Sequence, residues 1–286
     1  MRTRFTELVG CRVPIQLAGM GGVGTAELAA AVARAGGLGM VPSGIEPPQG
    51  VGAVGVNFLL PWGVDVDAIA DAADDARVCE FFYAWPTEEP VDVAHAVGAL
   101  AAWQVGSVKE ATAAAKAGCD FIVVQGTQAG GHVRGETLLD ELLRDLRDFD
   151  LPIVAAGGIA SAERVAQVIA AGADGVRVGT RFVAAAESGA HPDYIAALIH
   201  ARGERDTVIT TQFDDGWPDA PHRVLRSALD EARALGYHGV TPPSVWVEGP
   251  VTYMALYAGT SVADVRDVRP AAQIVAELVS LLSADA

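Results

Sequence analysis

The sequence predicts an α/β chain folded as a (β/α)8 TIM barrel, residues 1–190. A small C-terminal helical and loop extension, residues 191–286, covers the barrel mouth and packs on it as part of one structural unit. Three observations carry this. Eight short apolar runs alternate with helical runs. Three of those runs end in glycine turns. The length of 286 residues suits one barrel-sized domain.

Taken in order, the strand-like runs are 13–18 (VPIQLA), 38–41 (LGMV), 54–58 (VGVNF), 78–83 (VCEFFY), 102–105 (AWQV), 121–124 (FIVV), 152–156 (PIVAA) and 175–178 (GVRV). Helical patterns lie between them at about 25–35, 65–76, 91–98, 107–117, 136–147 and 161–171. Thr25, Ser107 and Ser161 are of the type that caps a helix N-terminus, and Gly36 and Gly118 of the type that ends one. Segment 42–53 (PSGIEPPQGVGA) is too rich in Pro and Gly for a full helix, so the second crossover is short or irregular. Past 181 the pattern changes. Residues 192–202 read as helix, 213–222 as loop, 223–235 as helix and 270–283 as an apolar-faced helix after Pro270.

The most informative stretch is Gln125-Gly126-Thr127-Gln128-Ala129-Gly130-Gly131-His132, after the apolar run 121–124. Glycine lets bare backbone approach a ligand, and histidine titrates near neutral pH and can serve as a general base. The bland alternative is a glycine-rich loop with an exposed histidine. Two further turns weigh against it: Gly157-Gly158 after strand 152–156, and Gly179-Thr180 after strand 175–178. Free N–H groups in two consecutive βα turns make an anion cradle without lysine, where barrels commonly hold a phosphate.

Composition narrows the function classes. The net charge is −16 and no Lys/Arg run stands out, so nucleic acid and anionic membrane are poor partners. No apolar run approaches a membrane span, and Met1–Glu7 lacks the apolar core of a signal peptide. Cys11, Cys79 and Cys119 are far apart and without CxxC spacing, which fits a reducing cytoplasm and neither a disulfide framework nor a zinc site. No metal site is expected.

Gly19-Met20-Gly21-Gly22-Val23-Gly24 matches GxGxxG between a strand and a helix. A dinucleotide fold would then use Glu46 on a ribose, but Glu46 lies beyond Pro42 and Gly44 in a loop, and the later glycine turns would be unexplained.

Together these segments resemble the nitronate monooxygenase family of flavoproteins over nearly the whole chain. The resemblance runs through Pro14-Ile15-Gln16, Ala35 to Gly39, Gly55-Val56-Asn57 and the three glycine motifs. It continues through Gly179-Thr180-Arg181-Phe182, Glu187-Ser188, His191-Pro192, Tyr257-Ala258-Gly259 and Arg269 to Ala272. It implies an FMN-dependent barrel that oxidises a nitronate, or a related carbanion-like small molecule, with dioxygen. Nitroalkanes are further candidate substrates. By motif, Asn57, Gln125 and Gly130 contact the flavin. Gly157 and Gly158, with the run Arg177, Val178, Gly179 and Thr180, hold its phosphate. Met20 backs the isoalloxazine ring, Gln104 stands where relatives often carry lysine, and His132 matches the active-site histidine. The chain departs from the family at Gly19, usually proline, at Gln128, often glutamate, and in its truncated second crossover. A homodimer is an assembly this reading allows.

Two rivals stay open: an FMN- and NADH-using reductase resembling enoyl-acyl-carrier-protein reductase II, and a non-redox flavin or phosphate-ligand barrel. Among other residues, His95 reads as surface and His191 as shaping a turn before Pro192. His222 and His238 fall where the C-terminal region faces substrate. Trp62, Tyr83 and Trp85 either line an apolar pocket or pack at its rim. Asp214-Asp215 reads as a solvated pair.

Overall fold

The computed structural model describes residues 1–63, 65–73 and 75–282. Its chain begins with helix α1 (Arg4–Val9), held by a capping box between Thr3 and Thr6 and ended by Gly10. Phe5 meets Phe121 edge-on at 5.4 Å. The helix thus plugs the barrel floor, where the sequence reading had no element.

All eight expected barrel strands are present among the described residues: β1 (Ile15–Leu17), β2 (Gly39–Pro42), β3 (Val54–Leu59), β4 (Val78–Phe82), β5 (Leu100–Val105), β6 (Phe121–Gln125), β8 (Ile153–Ala156) and β9 (Gly175–Val178). A further short strand, β7 (Gly131–His132), lies outside the barrel wall. The barrel strands run parallel in the order β1-β9-β8-β6-β5-β4-β3-β2. A bridge between Gln16 and Leu38 brings the two ends of the sheet together, with Leu17 N donating to Leu38 O at 2.9 Å and Leu38 N to Ile15 O at 2.8 Å. Strands buried on both faces explain the near-continuous apolar runs.

The expected helices form as α2 (Ala26–Arg34), α3 (Val66–Ala73), α4 (Glu88–Ala96), α5 (Val108–Lys116), α6 (Leu139–Asp145) and α7 (Ala162–Ala170). Thr25, Ser107 and Ser161 cap α2, α5 and α7. Between β2 and β3 the chain forms turns and no helix, as its prolines and glycines require. After β9 come the single-turn helix α8 (Thr180–Val183) and α9 (Pro192–His200), where His191 Nδ1 accepts from Asp193 N.

The C-terminal region differs from expectation in one respect. The expected helix at 223–235 begins only at Arg226, as α10 (Arg226–Leu235), because β11 (His222–Leu225) pairs antiparallel with both β10 (Thr207–Thr210) and β7. His222 and Val224 are buried while Arg223 is not, the alternation of a half-buried strand. The last helix, α11 (Ala271–Leu278), touches both α7 and α2 and so completes the outer ring over β9 and β1.

Candidate active site

Polar side chains that point into a barrel must find partners. Here five strands supply them. Glu80 on β4 and Gln16 on β1 are fully buried. Arg177 on β9 reaches across the barrel, its Nη1 lying 2.6 Å from Glu80 Oε1. Asn57 Nδ2 donates to the same oxygen at 2.8 Å, and Gln16 Nε2 donates to Glu80 Oε2. Gln104 on β5 accepts from Arg177. Burial pulls the Arg177 pKa down and Glu80 opposes that, so the network is one ion pair fixed by three amides.

Above this floor opens a cavity of about 410 Å³ at the C-terminal ends of the strands, where barrels of this kind place their chemistry. Met20, Asn57, Gln104, Gln125, Gly130, His132, Gly157, Gly158, Arg177, Gly179 and Thr180 all line it. Val178 does not: its side chain is buried in the core and its carbonyl accepts from Ala18 N at 2.9 Å. The Arg177 charge sits on the floor beside Glu80 rather than at the glycine turns.

One end of the cavity is built from backbone. Gly157 (φ 113°) and Gly158 (φ 68°) are both left-handed. A Cβ on Gly158 would stand 3.0 Å from Gln128 Cβ and 3.1 Å from Thr260 Oγ1. Among the described residues, the amides of Gly158, Ile159, Gly179 and Thr180 donate to no backbone carbonyl. The segment Gly259 to Ser261 closes this end. Gly259 N donates to Thr180 Oγ1 at 3.0 Å and Thr260 N to Gln128 O at 3.0 Å. Gln128 Oε1 accepts from Leu139 N at the start of α6, a task that glutamate performs equally. At Gly19 a Cβ would lie 2.4 Å from Asn57 Cβ, so glycine lets the two strand ends approach.

The other end is aromatic. His132 stacks on Trp217 with ring centroids 3.8 Å apart. Tyr83, His222 and Tyr257 surround it at 5.7, 5.3 and 5.7 Å. Gln125 fixes the loop: its Nε2 donates to His132 O at 2.8 Å and its Oε1 accepts from Arg134 N at 3.0 Å. Both polar ends of the Gln125 amide are thereby committed to protein. His132 Nε2 is buried without a hydrogen-bond partner, and burial, reinforced by His222, pushes the imidazole down to about 3. It enters any reaction neutral. Tyr83 holds its place at φ 67°, a conformation costing a non-glycine residue about 1–2 kcal/mol.

Of the other aromatics, Trp62 lines the cavity, and its Nε1 donates to Gly216 O at 3.2 Å. Trp85 lies outside the lining, under Lys109 Nζ at 5.2 Å. His222 packs behind His132, donating from Nδ1 to Ala220 O and accepting from Phe213 N. His238 is half-exposed and bonds Asp214 at 3.1 Å, which engages that carboxylate. His95 is exposed and bonds Asp120. Among the described residues no group of three His, Cys, Asp or Glu is placed to hold a metal, and no helix is long and apolar enough to cross a membrane.

Sequence reading missed Glu80, Trp217 and Tyr194, the last of which also lines the cavity, and gave Gly259 no role at its closed end. Glu80 had a signal: a carboxylate inside the apolar run VCEFFY. Trp217 had none, since its partner is 85 positions earlier.

Comparison with known proteins gives concordant results. The family model described as nitronate monooxygenase matches residues 2–54 and 49–280. A nitronate monooxygenase, npaC, of Metarhizium robertsii is 30% identical over 87% of this chain and 85% of its own. A (3aS,4S,5R,7aS)-5-hydroxy-7a-methyl-1-oxo-octahydro-1H-indene-4-carboxyl-CoA dehydrogenase of Rhodococcus jostii is 35% identical over 80% of this chain and 67% of its own. Among solved structures, FabK from Thermotoga maritima superposes with a TM-score of 0.83 at 29% identity, covering 98% of this chain and 96% of its own. Nitroalkane oxidase from Streptomyces ansochromogenes does so with a TM-score of 0.79 at 29% identity, covering 98% of each chain.

Proposed function

Because the chain belongs to the nitronate monooxygenase family of flavin oxidoreductases, we propose that it binds FMN and oxidises alkyl nitronates with dioxygen to a carbonyl compound and nitrite. The observation that carries this is one cavity with two unlike ends. Unpartnered amides around two left-handed glycines suit a phosphate, and a neutral histidine, His132, lines the opposite end. The residues fit FMN on the cavity's own terms. A Cβ at Gly158 would press on Gln128 and Thr260, and the turn amides offer donors with no carboxylate in the cavity lining among the described residues.

Gly157, Gly158, Gly179 and Thr180 would hold the phosphate, with the floor residues Asn57, Gln104 and Arg177 and the first-strand loop at Met20 along the ring. A bound flavin would supply the redox chemistry that links oxidation of the substrate to reduction of dioxygen. The chain's own groups do the rest. Trp217, Tyr257 and Trp62 exclude water. The His132 imidazole hydrogen-bonds the substrate's nitro group or, with a neutral nitroalkane, takes the α-proton. Proton transfer there would place an imidazolium beside the new nitronate, and that pairing offsets the depression caused by burial.

A second reading, flavin redox chemistry on an acyl-CoA, draws support from the relatives named as carboxyl-CoA dehydrogenases. The lining favours the smaller substrate: Arg177 is its only cation among the described residues, and Glu80 engages it. Acid release and mass measurement of the chromophore test the cofactor assignment. FMN at close to one per chain is expected; FAD, or no flavin after reconstitution with FMN, would overturn it.

A further inference from the structure

The buried network beneath the cavity has a feature that binding alone does not require. A ligand-facing cation could be held by neutral amides, yet here a full carboxylate is buried to hold it. Glu80 is fully buried and engages three side chains from three strands: Gln16, Asn57 and Arg177. The guanidinium uses Nη1 for Glu80 and Gln104, and among the described residues its Nε and Nη2 donate to no protein acceptor. Arg177, Asn57 and Gln104 line the cavity, whereas Glu80 does not.

We infer that Glu80 is a positioning residue that neutralises Arg177 beneath the cofactor and thereby keeps the reduction potential of the bound flavin low. The inference rests on the flavin assignment above. Reduction adds negative charge to the flavin ring. An uncompensated cation close by favours the reduced form, and a neutralised one does so less. Glu80 acts through Arg177 and touches no reacting atom. Burying an ion pair is a poor route to stability, and breaking one by removing a partner is costly, while replacing both partners is often tolerated.

The test compares Glu80→Gln, Arg177→Met and the double variant, each reconstituted with FMN. Glu80→Gln keeps the shape and a hydrogen-bonding group but removes the charge. Its flavin is expected to shift toward the reduced form by at least about tenfold in the equilibrium ratio, close to 30 mV for a two-electron couple. Sulfite, which binds oxidised flavin as an anion and loads electron density onto the ring, should bind about tenfold tighter. In the double variant both quantities should return toward wild type, and the apoprotein should melt higher than that of either single variant. A potential and a sulfite affinity unchanged in Glu80→Gln would overturn the inference, because a merely structural carboxylate would lower the melting temperature alone. If Glu80→Gln does not fold, the comparison of Arg177→Met with the double variant decides. Arg177→Met leaves the buried Glu80 carboxylate uncompensated, so its potential is expected to lie below that of the double variant; equal potentials in the two would show that the Glu80 charge does not reach the flavin and would overturn the inference. Wild-type protein that takes up no flavin removes both the flavin assignment and this inference. A flavoprotein with an unshifted potential removes this inference only.

Discussion

Gly158→Asp is expected to weaken FMN binding by about three decades while leaving the barrel folded. Its carboxylate would stand in the cradle, where a phosphate dianion is to sit among backbone amides. Two unit charges about 4 Å apart at an effective dielectric of about 20 repel by roughly 4 kcal/mol, and each 1.4 kcal/mol is tenfold in affinity. The fold should survive. The φ of 68° lies in the left-handed region, which aspartate tolerates better than most residues, at about 1–2 kcal/mol. The new Cβ, 3.0 Å from Gln128 Cβ, asks for a shift of a few tenths of an ångström. Gly158→Ala carries the same strain without the charge and separates the two effects: it should keep FMN within about tenfold of wild type. Fluorescence titration with FMN and thermal melts by circular dichroism provide the readouts. Full FMN affinity in the aspartate variant would place the phosphate elsewhere.

His132→Ala should retain FMN and lose turnover. The imidazole lies at the aromatic end, apart from the glycine cradle, and Gln125 holds its loop through the backbone carbonyl, which alanine keeps. Removing a positioned general base costs about 10²–10⁴ in rate. That loss is expected with neutral nitroalkanes, which must give up a proton. With preformed nitronates the proton has already gone, so the loss should be smaller and reflect a missing hydrogen bond. Oxygen uptake on a nitroalkane and on its nitronate measures both. Equal rates of variant and wild type on both substrates would remove His132 from the chemistry, and loss of FMN would give it a structural role instead.

What the sequence discloses here is what is local. Each barrel strand is a short apolar run, and the turns after 121–124, 152–156 and 175–178 carry their own glycines, so the eight strands, the cradle and His132 are readable one segment at a time. The GxGxxG match at 19–24 misleads for the same reason, since a motif says nothing of the sheet it joins. Sequence cannot show which distant groups meet. Glu80 and Arg177 come from opposite sides of the barrel. Trp217 reaches His132 only because β11 pairs with β7 and brings the 213–221 loop over the mouth. That same pairing turned residues 223–225 into strand against their helical pattern, a tertiary override of local preference. Residues 207–210, TVIT, did carry a β-branched signal for the partner strand.

The central claim is flavin-dependent oxidation of a nitronate at the cavity between the glycine cradle and His132. Its most direct test is steady-state oxygen consumption by the FMN-loaded protein on an alkyl nitronate, with nitrite measured in the same sample and NADH and an acyl-CoA offered in parallel. Oxygen uptake with nitrite release from the nitronate, and no oxidation of NADH or acyl-CoA, is the predicted result. A loaded protein inert to the nitronate that oxidises NADH or the acyl-CoA would contradict it.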